Sequence, residues 1–203
     1  MTMSVVKVNE FDVNQFNFEA FPEKYKRYNK QPILLPTLNG ERCPIIQLPW
    51  VEICQYGIPS KSDFVKEDSQ RYFIKLPLDD TVKSEEIKNF FDNIDAKFGC
   101  ATMRKQLIGD KSKHTYQALV RTPVTDDNKP DKMPYIKFKL QSLYPSDELT
   151  TGIVIQESAG GEIKPVDATT IDEVLNYVPF RSKVKCLVTP SKLWYTSSRG
   201  ESS

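Results

Sequence analysis

QRYFIKLPLDD, residues 70–80, has the composition and alternation of a β-strand that is buried on one side. Successive side chains of a strand point to opposite faces, so the stretch divides into two sets. The apolar set contains Tyr72, Ile74, Leu76 and Leu78. The opposite set contains Arg71, Phe73 and Lys75. This stretch therefore predicts a sheet with a core side and a second side that carries an aromatic ring between two cations.

Two later stretches repeat this arrangement of faces. In MPYIKFKL (133–140), the apolar set is Ile136, Phe138 and Leu140, and the opposite set is Tyr135, Lys137 and Lys139. In RSKVKCLV (181–188), the residues expected to face inward are Val184, Cys186 and Val188, and those expected outside are Lys183 and Lys185. Pro190 then resets the register, which places Lys192 and Trp194 on the outer side. Three strands are therefore expected to present a ring beside one or two cations.

Two helices are predicted among the strands. SEEIKNFFDNIDAKFG (84–99) has an apolar stripe at helical spacing, a cap at Ser84 and a stop at Gly99. TTIDEVLNYVP (169–179) has a Thr170/Glu173 capping box and ends at Pro179. Further strands are expected in HTYQALVRTP (114–123) and in TTGIVIQES (150–158). The second of these is expected to pair with the strand that begins at residue 133.

The order of these elements disfavours a parallel, doubly wound sheet, because strands and helices do not alternate regularly. We predict a mainly β, α+β fold: an antiparallel OB-like barrel or curved sheet with two short helices and an N-terminal arm. Residues 1–43 are expected to form the arm, residues 44–196 the OB-like β-barrel core, and residues 197–203 a polar tail. The aromatic residues that argue against simple disorder in the arm are Phe11, Phe16, Phe18, Phe21, Tyr25 and Tyr28.

Composition and motifs argue against several classes of function. The four cysteines are scattered without CxxC spacing and His114 is the single histidine, so neither a metal site nor a cofactor is expected. No nucleophile, nucleotide-binding or metalloprotease motif occurs. The acidic pairs at 79–80 and 126–127 are typical of solvated turns. The sequence therefore predicts a binding protein and not an enzyme.

Charge and hydropathy indicate which partners to expect. The sequence has no apolar run of about 18 residues, and its first residues lack the apolar block of a signal peptide, so an intracellular protein that does not enter a membrane is expected. The net charge is only +1, but residues 101–145 contain nine basic and four acidic residues. Such segregation can assemble a basic face on a nearly neutral protein.

Exposed rings between lysines and arginines are typical of single-stranded nucleic-acid binding. The cations contact phosphates, and each ring that stacks on a base contributes roughly 1–3 kcal/mol. The same pattern would arise if the rings packed under the helices or the arm and the lysines protected sheet edges. The predicted nucleic-acid-binding residues are Arg71, Phe73, Lys75, Tyr135, Lys137, Lys139, Lys183, Lys185, Lys192 and Trp194.

Several stretches in the same order resemble the single-stranded DNA-binding proteins of nucleocytoplasmic large DNA viruses. They are PIIQLPWVEICQYGIPS (44–60), RYFIKLPLDD (71–80), MPYIKFKL (133–140) and the segment from about 170 to 196, which joins a short helix, the strand KVKCLV, a Pro-Ser pair and the cluster LWY. The family continues with a glycine-containing turn and a final apolar strand, whereas this sequence continues as SSRGESS. The positions that match the family best are Lys183, Lys185, Lys192 and Trp194.

The resemblance implies an OB-like barrel that binds single-stranded DNA with little sequence specificity during viral DNA replication, recombination or repair. It also implies a location in the host cytoplasm or nucleus. The expected partners are single-stranded DNA or RNA, further copies of the chain, and replication proteins. A second hypothesis from another class is a structural or scaffolding protein of a virus particle or assembly complex, because an aromatic arm and a proline-rich extended segment are suited to wrapping on a neighbour.

Overall fold

The structure is a computed structural model that describes residues 4–20, 33–108, 116–124 and 131–194. Within these ranges the chain forms fourteen short strands and three α-helices, so the fold is mainly β and of the α+β class. The strands group into five small sheets that are mostly antiparallel. No sheet closes into a barrel within the described ranges.

The elements have the following bounds. The strands are β1 (Val5–Lys7), β2 (Phe16–Ala20), β3 (Ile33–Leu38), β4 (Glu41–Arg42), β5 (Ile45–Gln47), β6 (Val51–Glu52), β7 (Phe73–Pro77), β8 (Val120–Arg121), β9 (Tyr135–Lys139), β10 (Ile153–Gln156), β11 (Ile163–Val166), β12 (Lys183–Val184), β13 (Leu187–Val188) and β14 (Leu193–Trp194). The helices are α1 (Val82–Gly99), α2 (Ala101–Ile108) and α3 (Ile171–Tyr177).

The chain divides into two compact units that differ from the predicted division at residues 43 and 196. The first unit comprises Met1–Pro49, Glu85–Val120 and Lys185–Ser203, and the second comprises Trp50–Ser84 and Arg121–Val184. RSKVKCLV is accordingly not one strand, because β12 and β13 belong to different units and pair with different partners, β6 and β5. Within the described residues, no helix is long and apolar enough to cross a membrane.

The first unit contains two sheets and a cluster of aromatic rings. Strand β5 lies between β1, which is parallel to it, and the antiparallel β13, while β3 pairs with β2, β4 and β14. Phe16 contacts the rings of Phe11 and Phe98 edge-on, with centroids 5.6 and 5.5 Å apart. The described part of the predicted arm is therefore built into this unit. Three of the aromatic residues of the predicted arm, Phe21, Tyr25 and Tyr28, lie outside the described residues.

Helix α1 carries the predicted apolar stripe but begins earlier than predicted. The stripe is buried and consists of Ile87, Phe90, Phe91, Ile94 and Phe98. The helix begins at Val82, where the Thr81 hydroxyl donates to Asp79 over 2.6 Å and accepts from the Ser84 backbone N–H over 3.4 Å. Thr81 therefore has the capping role that the sequence assigned to Ser84, and Ser84 is buried in the first turn.

Lys97 ties helix α1 to the N-terminal segment of the first unit. Its ammonium donates to three backbone carbonyls, those of Val13 at 3.0 Å, Asn14 at 2.8 Å and Phe16 at 2.6 Å. Partial burial lowers the pKa of Lys97, although the carboxylate of Asp12 acts in the opposite direction. Because these charge-assisted hydrogen bonds all go to the protein's own backbone, this lysine has a structural use.

The second unit contains strands β7 and β9 of the sheet with order β7-β9-β8, the hairpin of β10 and β11, the pair of β12 and β6, and helix α3. Helix α3 has the predicted Thr170/Glu173 capping box. The predicted pairing of residues 133–145 with 150–158 is wrong, because β9 pairs with β7 and β10 pairs with β11. The two segments meet near the turn that joins them, through a bridge between Ser142 and Leu149 and a hydrogen bond from the Thr150 N–H to the Gln141 carbonyl over 2.9 Å. Of the strand predicted at 114–123, only β8 is formed within the described residues, and His114 lies outside them.

Candidate nucleic-acid interface

The antiparallel pair of β7 and β9 has the two faces that the alternation predicted. Its apolar side is buried through Ile74, Leu76 and Ile136. On the other side, Phe73 lies opposite Lys139, Lys75 opposite Lys137, and Pro77 opposite Tyr135. The sheet therefore brings five of the predicted binding residues onto one surface. We call this surface the basic-aromatic face. It consists of Phe73, Lys75, Tyr135, Lys137 and Lys139, together with Tyr56, which is described below.

Positive charge accumulates on this face, where lysines of neighbouring strands lie opposite each other. Like charges placed directly opposite each other on neighbouring strands repel, and this is the arrangement of Lys75 and Lys137. Partial burial, followed by the charges of Lys75 and Arg121, lowers the pKa of Lys137 below its ordinary value. Among the described residues, no carboxylate lies within 4.0 Å of the ammonium of Lys75, Lys137 or Lys139. An anion bound here would relieve this repulsion.

The rings of the face are half-buried and contact the lysine ammonium groups. The Nζ atom of Lys137 lies 3.7 Å from the ring centroid of Phe73. The Nζ atom of Lys75 lies 4.6 Å from the centroid of Tyr135, 5.6 Å from that of Tyr56 and 5.8 Å from that of Phe73. These are cation–π distances, so the ring faces are turned toward charge and not sealed in an apolar core.

Tyr56 is a member of this face that the sequence did not reveal. It has a left-handed backbone, with φ of 63°, and is followed by Gly57 with φ of 78°. Gly57 exchanges two backbone hydrogen bonds with Lys75, and the Tyr56 hydroxyl donates to the Met133 carbonyl over 2.7 Å. These bonds hold the Tyr56 ring 4.9 Å from that of Tyr135. The available signal was the Tyr-Gly dipeptide, because glycine favours such a turn.

Glycine is required at position 57 for two reasons. Its positive φ is a conformation that residues with a side chain rarely adopt. A Cβ atom there would also lie 2.9 Å from Cγ2 of Ile53. The turn that presents the Tyr56 ring therefore depends on this residue.

Arg71 was predicted on the exposed face, and the structure corrects that prediction. Its side chain is 1% exposed, with Nη1 2.8 Å from Asp68 and Nη2 2.6 Å from Asp172. Its Nε donates to the carbonyl of Pro59 over 2.8 Å. The alternation fails here because Arg71 ends a short 3₁₀ turn and the strand begins only at Phe73. A guanidinium with all three nitrogens engaged and no exposure is not a phosphate ligand.

The remaining predicted residues do not lie on this sheet. Lys183 is exposed on β12 opposite Glu52, in the same unit as the basic-aromatic face but in another sheet. Lys185 and Lys192 are exposed in the first unit. The backbone of Trp194 pairs with that of Ile33, also in the first unit, and its side chain lies outside what the structure describes. Its predicted role remains a prediction.

The described residues give no sign of a metal centre: they contain no group of three or more His, Cys, Asp or Glu side chains arranged to hold an ion. Burial raises the pKa of the Cys43 and Cys186 thiols to about 11, which keeps both protonated and unreactive at neutral pH.

Fold and surface define a mainly β protein with a basic face that carries aromatic rings, and comparison with known proteins adds one viral relative. The chain is 27% identical, over an alignment of 192 residues, to an uncharacterized protein of Acanthamoeba polyphaga mimivirus. The alignment covers 80% of this chain and 47% of the relative, so the chain spans about half of the relative's length. No protein-family model matches the sequence, and no solved structure matches it.

Proposed function

We propose that this chain binds single-stranded nucleic acid, principally DNA, with little sequence specificity and without catalysis. The observation that supports this most strongly is the arrangement of Lys75 and Lys137. These two cations lie directly opposite each other among three aromatic rings, and no carboxylate of the described residues lies within 4.0 Å of either ammonium. The process served would be viral DNA replication, recombination or repair, in the host cytoplasm or nucleus. The similarity to a mimivirus protein is consistent with a viral setting.

The two kinds of side chain have complementary tasks in this proposal. Lysines that contact phosphates release condensed counterions, which favours binding at low salt. Rings beside them offer surfaces on which any unpaired base can stack, and such stacking tolerates all sequences. A duplex hides its bases from such rings, so the face favours single strands.

The predicted OB-like barrel also remains a proposal. Such barrels commonly bind oligonucleotides on a strand face. The described strands form separate small sheets, and the β7-β9 face does not depend on barrel closure. An experimental structure of the chain would test the barrel independently of binding.

Titration of fluorescent single-stranded and duplex oligonucleotides at two salt concentrations tests the proposed function. The single strand is expected to bind more tightly than the duplex. If three lysines contact phosphates, log K should fall with log salt with a slope of about −2, so a fourfold rise in salt weakens binding roughly 15- to 20-fold. Equal affinity at both salt concentrations, or no binding at the lower one, would contradict the proposal.

A structural or scaffolding role is the second candidate, and one observation favours it. The hairpin of β10 and β11 exposes apolar side chains, with Val154 63% and Ile163 61% accessible. An exposed apolar surface of this kind is typical of contact with another protein. Stable self-assembly in size-exclusion chromatography, without any shift by oligonucleotide, would favour this role over nucleic-acid binding.

A further inference from the structure

The basic-aromatic face has two separate places at which a base can stack on an aromatic ring, and we call these places stations. One is Phe73, and the other is the adjacent pair of Tyr56 and Tyr135. Phe73 and Tyr135 lie four residue positions apart along the paired strands, which is about 13 Å of backbone. Their centroids are at most about 10 Å apart, because Lys75 Nζ lies 5.8 Å from one and 4.6 Å from the other.

The space between the stations is occupied by charge and not by another ring. Within the described part of the chain, Phe73 has no ring–ring contact, whereas the Tyr56 and Tyr135 rings touch. The Lys75 ammonium lies within 6 Å of all three ring centroids. A ligand that uses both stations must therefore carry a negative group between two planar groups.

We propose that the face selects single strands whose neighbouring bases are unstacked. In this arrangement one base lies on Phe73, the next lies on the Tyr56/Tyr135 pair, and the phosphodiester between them contacts Lys75 and Lys137. The inference rests on the proposed function and specifies the ligand of the same face. It excludes a regularly stacked strand, in which neighbouring bases are only about 3.4 Å apart and cannot reach both stations.

Binding of a base exchanges the partners of the lysines. In the free protein the Lys137 ammonium lies 3.7 Å from the Phe73 centroid, where an incoming base would stack. Lysine has a flexible four-carbon stem, so the ammonium can leave the ring and contact the adjacent phosphate. In the complex, the base thus takes the place of the Lys137 ammonium on the Phe73 ring, and the phosphate takes the place of the ring as the partner of the ammonium.

The unstacking requirement makes affinity depend on how strongly a strand stacks on itself. Thymine runs are flexible and stack weakly, whereas adenine runs stack strongly and must lose more on binding. A preference for thymine would thus arise without any hydrogen bond to a base edge. A strand that lacks bases keeps its phosphate contacts with the lysines but cannot stack at either station.

The test compares three strands of about 15 nucleotides, long enough for one binding site. They are oligo-dT, oligo-dA and an abasic deoxyribose-phosphate strand, titrated against the wild-type chain at one low salt concentration. Oligo-dT is expected to bind at least about threefold more tightly than oligo-dA, and at least about 30-fold more tightly than the abasic strand, which cannot use either station. Phe73→Leu should reduce the ratio of the affinity for oligo-dT to the affinity for the abasic strand. The control is Phe64→Leu, at a ring that is 93% exposed in a loop of the same unit, and it should leave this ratio unchanged.

The outcomes separate the inference from the proposed function. If oligo-dT binds less than threefold more tightly than oligo-dA, the unstacking inference is overturned and single-strand binding stays in place. Failure of all three strands to bind overturns the proposed function itself. Thermal unfolding shows whether Phe73→Leu folds. If it does not, the ratio of the wild-type affinities for oligo-dT and oligo-dA decides the inference alone.

Discussion

Arg71→Met is expected to lower the free energy of unfolding by about 1–3 kcal/mol, because it removes the hydrogen bonds of a buried guanidinium to two partly exposed carboxylates and one carbonyl. Arg71 is almost completely buried, and its guanidinium joins Asp68, Asp172 and the Pro59 carbonyl. Methionine fills much of the same volume but donates no hydrogen bond, so the Pro59 carbonyl loses its side-chain donor and the two carboxylates lose the guanidinium. Urea denaturation followed by circular dichroism measures the change.

Lys61→Met is the matched control for Arg71→Met. Lys61 forms ion pairs with the same two carboxylates, Asp68 at 3.3 Å and Asp172 at 3.5 Å, but its side chain is half exposed. Exposed pairs contribute little, so Lys61→Met is expected to lower the free energy of unfolding much less than Arg71→Met. Two results would contradict the structural role of Arg71: an Arg71→Met variant as stable as the wild type, or one no less stable than Lys61→Met. Arg71 would then again be a candidate residue of the binding face.

The double substitution Lys75→Met/Lys137→Met is expected to weaken single-stranded DNA binding about 30-fold at low salt. This corresponds to about 1 kcal/mol for each of the two lysine–phosphate interactions that the substitution removes. The slope of log K against log salt should become shallower by about 1.4, because two cations no longer neutralise phosphates of a single strand. Fluorescence anisotropy with oligo-dT at several salt concentrations measures both quantities.

Stability distinguishes this effect from damage to the fold. Methionine keeps an apolar stem of similar length beside the rings, and the substitution removes two like charges that face each other across the sheet. The free energy of unfolding should therefore stay the same or rise. Lys164→Met, on the hairpin of β10 and β11 in the same unit, should leave affinity within about twofold of the wild type. Equal losses of affinity in the double variant and in Lys164→Met would show that no particular lysines are used.

Local pattern predicted the parts of the fold that depend on neighbouring residues. The alternation of β7 and β9 assigned the residues of these strands to the correct face, apart from Pro77, which it left unassigned, because a strand has a period of two whatever lies around it. The apolar stripe of helix α1 and the Thr170/Glu173 capping box of helix α3 were equally visible. Spacing is sufficient for these features because they need no knowledge of distant contacts.

Features that depend on distant partners could not be predicted. Arg71 has the composition of an exposed strand residue, and its burial depends on Asp172, which is about a hundred positions away in the sequence. The pairing of β9 with β7, and of β10 with β11, is a choice among strands that alternation alone cannot make. Tyr56 joins the candidate site only through a left-handed turn and a hydrogen bond to Met133.

The most direct test of the central claim is to locate the bound strand by photocrosslinking. The full chain would be irradiated with an oligo-dT strand that carries 4-thiothymine, and the crosslinked peptides would be identified by mass spectrometry. Crosslinks are expected at Phe73, Tyr135 or Tyr56, and they should disappear when unlabelled oligo-dT competes or when salt is raised. Competable crosslinks that map only to other segments would contradict the assignment of the basic-aromatic face as the binding surface.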